Sequence, residues 1–161
     1  KKKDLVLFPH RLAPEKQLEI FEDLAEELKD HVEFVVCQKK KLSKKQYHAM
    51  LGKAKIVFSA NLQETLGISM YEGALCGAAP MVPDRLSYTE MYSEDFKYPS
   101  EWTESWDSYQ THKGDLVQFI LHAIKNSDRQ TLRIEQQAQS LTAQFFSGTA
   151  LYDAIRRKHN G

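Results

Sequence analysis

Cysteine is scarce in this sequence: only Cys37 and Cys76 occur, and their separation matches no metal-ligand spacing. That removes a thiolate metal centre and leaves two buried free thiols, in keeping with a reducing compartment. The six histidines are scattered and form no HExxH or similar pattern, so no metal site and no cofactor is expected. No GxGxxG follows a strand and no P-loop occurs, which disfavours a dinucleotide-binding dehydrogenase and a P-loop NTPase. Charge of one sign does not dominate: Lys and Arg total 22, as do Asp and Glu, so no global field points to nucleic acid or membrane. There is no signal peptide pattern and no apolar run long enough to span a bilayer, and the expectation is a soluble, cytoplasmic protein. Internal repeats and low-complexity linkers are missing too.

What is present is ordinary globular composition, 42% hydrophobic and 27% charged over 161 residues, enough for one domain spanning 1–161. Strand and helix signals alternate along it. Asp4 to Phe8 is a short apolar strand behind a solvated lead-in, Lys1 to Lys3. Pro14 opens a helix with Leu18, Phe21, Leu24, Ala25 and Leu28 as its buried stripe. Val32 to Cys37 is a second strand, and Ser43 to Leu51 a short helix entered from the basic run Lys39-Lys40-Lys41. Lys55 to Ser59 is a third strand. Leu66 to Cys76 then repeats apolar residues at helical spacing, with Thr65 as N-cap and Gly77 and Pro80 as stop signals. Pro80 to Pro83 is a strand and "DRLSYTEMY" a loop or helical turn. Tyr92 to Lys113, polar and aromatic, carries no clear period. Asp115 caps a helix over Leu116 to Lys125, and helices at 129–145 and 148–158 close the chain. This alternation predicts an α/β fold, a Rossmann-like parallel sheet with helices on both faces.

The stretch "SANLQETLGISMYEGALCG", Ser59 to Gly77, sets Glu64 in a loop after the third strand and Glu72 two turns into the next helix. Eight positions at ~100° each leave the two side chains about 80° apart, so both face one cleft. Two acceptor-only carboxylates suit a ligand rich in hydroxyls, and the helix start between them suits a phosphate. Acidic residues also gather near helix starts simply because they favour the dipole, and spacing alone does not separate the two readings. In a doubly wound sheet ligands bind at the carboxyl ends of the strands. The segments expected there carry Arg11 and Lys16, then Glu64, then Arg85 and Glu90. Cations beside carboxylates and a helix N-terminus suit a ligand with phosphates at one end and hydroxyls at the other. The plainer alternative for Arg11 and Lys16 is surface pairing with neighbours such as Glu15.

Two of these segments carry a family resemblance. "LFPHRLAPEKQLEIF" resembles the opening of the C-terminal domain of group 1 glycosyltransferases, family 4 of the retaining GT-B enzymes, and "SANLQETLGISMYEGALCGAAPMVP" resembles their E-x7-E segment. The resemblance covers about residues 4–90 with motifs. It implies the C-terminal half of a GT-B fold and a nucleotide-sugar donor site: Arg11 and Lys16 on the diphosphate, Glu64 on the transferred sugar, the backbone around Gly67 and Ile68 near phosphate, Glu72 on the ribose, and Thr65 and Leu66 within the same substrate-binding stretch. By the same resemblance Arg11, Lys16 and Glu64 form the catalytic set, no metal is needed, and a hexose passes from a UDP- or GDP-sugar to an acceptor. That acceptor is a nucleic acid or a small molecule. "FPHR" and "PDRLSYTE" are also similar to the tRNA-queuosine mannosyltransferase-like branch. The sequence departs from the broad pattern in three places: His10 replaces glycine, Thr65-Leu66 replaces Gly-Phe, and Gly73 replaces alanine. It is also shorter between Cys37 and Ser43, which touches the base-reading part of the site.

A GT-B enzyme needs two Rossmann-like domains, so the implied partner is an N-terminal domain of the same enzyme or a partner subunit, without which transfer is not expected. Two other classes compete: a binding module holding a nucleotide or phosphosugar without turnover, and a nucleic-acid domain using Lys39, Lys40, Lys41, Lys44 and Lys45. No aromatic residue interleaves within that lysine run, which favours a solvated face.

Overall fold

The computed structural model describes residues 2–63 and 66–146. Among them five strands form one parallel sheet: β1 (Lys3–Phe8), β2 (Glu33–Val36), β3 (Ala54–Phe58), β4 (Ala79–Pro83) and β5 (Lys97–Tyr98). Their order is β2-β1-β3-β4-β5, and every neighbouring pair runs parallel. Among the described residues six α-helices connect and cover them: α1 (Leu18–Leu28), α2 (Lys44–Lys53), α3 (Ile68–Leu75), α4 (Tyr88–Met91), α5 (Trp106–Lys125) and α6 (Thr131–Gln144).

Strand periodicity divides the core in two. Val6 and Phe8 of β1, Ile56 and Phe58 of β3 and Met81 of β4 pack against Ile20, Phe21 and Leu24 of α1 and Leu116 and Ile120 of α5. Leu5, Leu7, Val57 and Val82 point the other way, onto Leu51 of α2, Met70, Tyr71 and Ala74 of α3, and Leu141 of α6. The expected Rossmann-like sheet with helices on both faces is what the chain forms.

Three expectations are corrected. Pro14 opens a 3-10 turn, Pro14–Lys16, and α1 starts only after Gln17, which sits in the left-handed region at φ 54° and breaks the helical run. The N-cap of α3 is Gly67, at φ 70° and ψ 45°, rather than Thr65. A glycine meets that backbone need without the steric cost any β-carbon brings. The helix placed at Leu116 to Lys125 begins ten residues earlier, at Trp106, where the Ser105 hydroxyl accepts from the Ser108 N–H. Gly114 and its polar neighbours hide the continuity in the sequence, yet Tyr109 and Lys113 anchor this first half to Asp23 of α1, at 2.6 Å and 2.8 Å. The stretch after Tyr92, without a clear period in the sequence, holds short 3-10 turns and β5 before α5 begins. The helix expected at 148–158 lies outside the described residues.

No helix among the described residues is long and apolar enough to cross a membrane.

Candidate functional site

From β1 the chain steps outward to β2 and then back across to β3, so the topology switches between β1 and β3. Crevices at such a point, above the carboxyl ends of the strands, are where open α/β sheets bind ligands. A cleft of about 590 Å³ lies there, within the roughly 300 to 1,000 Å³ usual for small-molecule sites. Three segments wall it: Pro9 and Arg11 after β1, residues from Cys37 to Tyr47 after β2, and Ile68, Ser69 and Glu72 of α3.

Each wall has a local cause. Phe8 and the buried His10 clasp the exit of β1: the rings meet edge-on at 4.9 Å, and His10 Nε2–H donates to the carbonyl of Phe58, the last residue of β3, at 2.9 Å. His10 therefore ties the β1 exit to the end of β3. Arg11 follows, half-exposed, with its guanidinium on Glu15 at 3.1 Å. On the far wall, Ser43 and Gln46 form a reciprocal capping box at the start of α2, which fixes the loop that brings Lys41 and Lys44 to the cleft. Glu72 reaches the cleft from the second turn of α3, its carboxylate 3.7 Å from Nε2 of His48. Among the described residues no side chain caps α3, and the N–H groups of a first helical turn have no partner inside the helix. The cleft thus combines cations, one carboxylate and a helix start with its positive dipole end.

Arg11, Ile68 and Glu72 are brought together as the sequence predicts, and Gly67 sits one residue before α3 at the same edge. Lys16 lies one turn beyond Arg11, outside the cleft wall and only 3% exposed. Burial, and then the nearby Arg11 charge, push its ammonium pKa below the ordinary 10.5, against the pull of Glu15. Leu66 is half-buried. Glu64 and Thr65 lie outside the described residues.

Arg85 and Glu90 do not join this site. Glu90 lines a separate hollow with Gln137 and Arg133. Arg85 turns inward: Nε donates to the Asn61 carbonyl at 2.8 Å, Nη1 to the Ser100 carbonyl at 2.9 Å, and Nη2 to the carbonyls of Ala60 and Thr103 at 3.0 Å and 3.2 Å. A guanidinium offers five donors in a fixed fork, so an arginine spent on four backbone carbonyls acts as a brace rather than a ligand-side charge.

No known protein-family profile matches the chain. Solved structures do share its fold. A point mutant of S. aureus TarM, in complex with Fondaparinux, alpha-GlcNAc-glycerol and UDP, overlays 98% of this chain on 36% of its own, with 16% sequence identity and a TM-score of 0.68. A second TarM structure overlays 97% on 35%, with 14% identity and a TM-score of 0.69. A looser overlap, TM-score 0.47 at 16% identity, joins 88% of the chain to 49% of Anabaena Alr3699/HepE in complex with UDP. At these identities the likeness is one of fold, and the chain spans about a third of the TarM chains it overlays.

The lysine run reads differently once folded. Lys39 pairs with Glu22 at 2.8 Å on the surface, while Lys41, held in the left-handed region at φ 49°, and Lys44 turn to the cleft. Tyr47 lines the same wall, and burial followed by the charge of Glu72 raises its phenol pKa. The signal available in the sequence was position, because this run directly follows a strand and so had to sit at the carboxyl edge.

Proposed function

We propose that this chain is the donor-binding half of a retaining GT-B glycosyltransferase, holding a UDP- or GDP-hexose across the carboxyl edge of its sheet. The observation that carries this reading is the convergence of Arg11, the start of α3 and Glu72 on one cleft at the topological switch. A nucleoside diphosphate sugar has the matching sequence of groups, with ribose hydroxyls for Glu72, phosphates for Arg11, Lys16 and the first turn of α3, and a hexose toward Glu64. The fold shared with TarM, which was solved with UDP, is a second support.

In this reading the protein supplies position and charge. Arg11 and the helix end would face the negative charge that grows on the departing diphosphate, with Lys16 acting by its charge from its buried place behind Arg11, and pre-set charges in a water-poor site lower that barrier most. No metal ion is required of such a site, and attack comes from the face the diphosphate leaves, so configuration is retained. The acceptor, a nucleic acid or a small molecule, is held by an N-terminal Rossmann-like domain on the same polypeptide or a partner subunit. "FPHR" and "PDRLSYTE" favour a nucleic acid, through their likeness to the tRNA-queuosine mannosyltransferase-like branch. The cytoplasm, where nucleotide sugars and tRNA meet, is the matching compartment. Alone, the chain binds donor but does not transfer it, because holding acceptor against donor can account for several kcal/mol of the barrier.

Calorimetric titration with UDP-glucose and GDP-glucose, each with and without EDTA, tests this. Saturable binding of one of them that survives EDTA is expected. Binding of neither overturns the reading, and binding abolished by EDTA overturns its metal-free part.

A further inference from the structure

We infer that Arg85 and Gln17 are positioning residues for this donor site, holding the loop that leaves β3 in register with the turn that carries Lys16. The inference rests on the donor-site reading above and adds a residue pair that touches no ligand in it.

Both side chains grip the same two carbonyls. Gln17 Nε2 donates to Ala60 at 2.8 Å and to Thr103 at 2.6 Å, while Arg85 Nη2 donates to Ala60 at 3.0 Å and to Thr103 at 3.2 Å. Arg85 adds the Asn61 and Ser100 carbonyls. Three segments distant in sequence are thus fastened at one point: the turn after β1, the exit of β3, and the 3-10 turn Ser100–Thr103. A direct backbone bond, Leu62 N–H to Glu15 carbonyl at 2.9 Å, closes the link between the residue beside Lys16 and the residue two before Glu64.

Tyr88 adds contacts at the described ends of this loop. Asn61, fully buried, donates from Nδ2 to the Tyr88 hydroxyl at 2.9 Å, which also bonds Ser59 Oγ at 2.9 Å. The Tyr88 ring passes 3.5 Å from where a β-carbon on Gly67 would stand. Tyr88 follows Arg85 by three residues, so one short segment holds the point where the chain leaves β3 and passes beside Gly67, where it enters α3. Backbone strain marks both sides of the brace: Gln17 in the turn after β1 and Leu86 beside Arg85 both have φ of 54°, unusual for residues with a β-carbon. Such outliers persist where the surroundings over-determine them and gather at functional sites. The brace joins the turn that carries Lys16 to the described part of the loop that precedes Glu64, the two segments to which the donor-site reading assigns the diphosphate and the sugar.

The test compares two ligands on the full chain, using whichever of the UDP or GDP series the wild type binds. Arg85→Lys keeps the charge but loses the fork. Gln17→Asn removes the reach to both carbonyls while keeping a residue that tolerates the left-handed region. Each variant is titrated with nucleotide-glucose and with the nucleoside monophosphate, and its fold is checked by circular dichroism and thermal melting. The expected result is an affinity loss of about tenfold for the nucleotide sugar, comparable to one well-placed charge-assisted bond. The monophosphate, gripped through Glu72, loses less than about threefold, within the spread of an unaltered site. In Arg85→Ala, added millimolar guanidinium restores nucleotide-sugar affinity. Folded variants that bind the sugar nucleotide as the wild type does overturn the inference. Equal losses for both ligands, unrelieved by guanidinium, overturn it too, since that is how a general scaffold residue behaves. If Arg85→Lys fails to fold, Gln17→Asn alone decides. A wild type that binds no nucleotide sugar removes the donor-site reading itself, and that arm is read first.

Discussion

Gly73 of α3 lies so close to Val57 of β3 that a β-carbon on residue 73 would stand 2.7 Å from both valine methyl groups. The helix that carries Glu72 is therefore set against the sheet by the absence of one side chain. Val57 fills the space that a side chain at position 73 would need, so glycine fits there.

Gly73→Ala should cost about 1 to 3 kcal/mol of stability, as overpacking of a tight core does. Val57→Ala removes the clash, so the double variant should recover part of that loss, with a coupling of roughly 0.5 to 3 kcal/mol in a double-mutant cycle from urea unfolding. Strict additivity of the two losses would mean that the contact does not set the helix position.

Glu72→Ala and Arg11→Ala should each weaken nucleotide binding by about 1 to 3 kcal/mol, the range for a lost hydrogen bond to a charged group. Glu64→Ala should leave the affinity for free UDP or GDP unchanged and weaken only the nucleotide sugar. Equal loss of free-nucleotide affinity in Glu64→Ala would show that the two glutamates' roles are misassigned.

Lys16 offers a protonic signature. Its pKa is lowered by burial and by Arg11 from the ordinary 10.5, and an arriving diphosphate favours the charged ammonium. Binding measured in the alkaline range below 10.5, in buffers of different ionisation enthalpy, should take up protons, and Lys16→Met should abolish the uptake. Proton release, or uptake that survives in Lys16→Met, would place Lys16 away from the phosphates.

Asp23 governs acid stability at the α1–α5 contact. Burial alone would raise its pKa, but the Lys113 and Tyr109 bonds outweigh that and hold it below the ordinary 3.8. A depressed folded pKa contributes stability that is complete above the unfolded value and is lost as pH falls through the folded one. The stability gap between wild type and Asp23→Asn should therefore stay level from neutrality to about pH 4 and shrink below it. A gap that widens with acid would contradict the assignment.

Most of this architecture is legible in sequence because hydrophobic periodicity reports burial directly. The short apolar runs around Leu5, Val35, Ile56 and Met81 are the first four strands, and the Glu-rich stripe after Leu18 is α1. The misreadings share a cause: they lie where a tertiary contact, not a local pattern, decides. Gln17 ends one helical run because its side chain is drawn to Ala60 and Thr103. Trp106 begins α5 because Tyr109 reaches Asp23 across the domain. β5 has two residues and no period to detect. For the site, Arg11, Ile68 and Glu72 were readable from their place after strands and within a helix. The inward turn of Arg85 and the cleft-facing Lys41 and Lys44 were not, since charge alone does not say which way a side chain points.

Amide chemical-shift mapping of the isotope-labelled chain with UDP-glucose or GDP-glucose tests the location of the ligand most directly. The account predicts saturable shifts clustered at Arg11, at Gln38, Lys41 and Ser43, and at Ile68, Ser69 and Glu72, the three walls of the cleft. Shifts confined to the hollow lined by Glu90, Arg133 and Gln137, or none at saturating ligand, would contradict it.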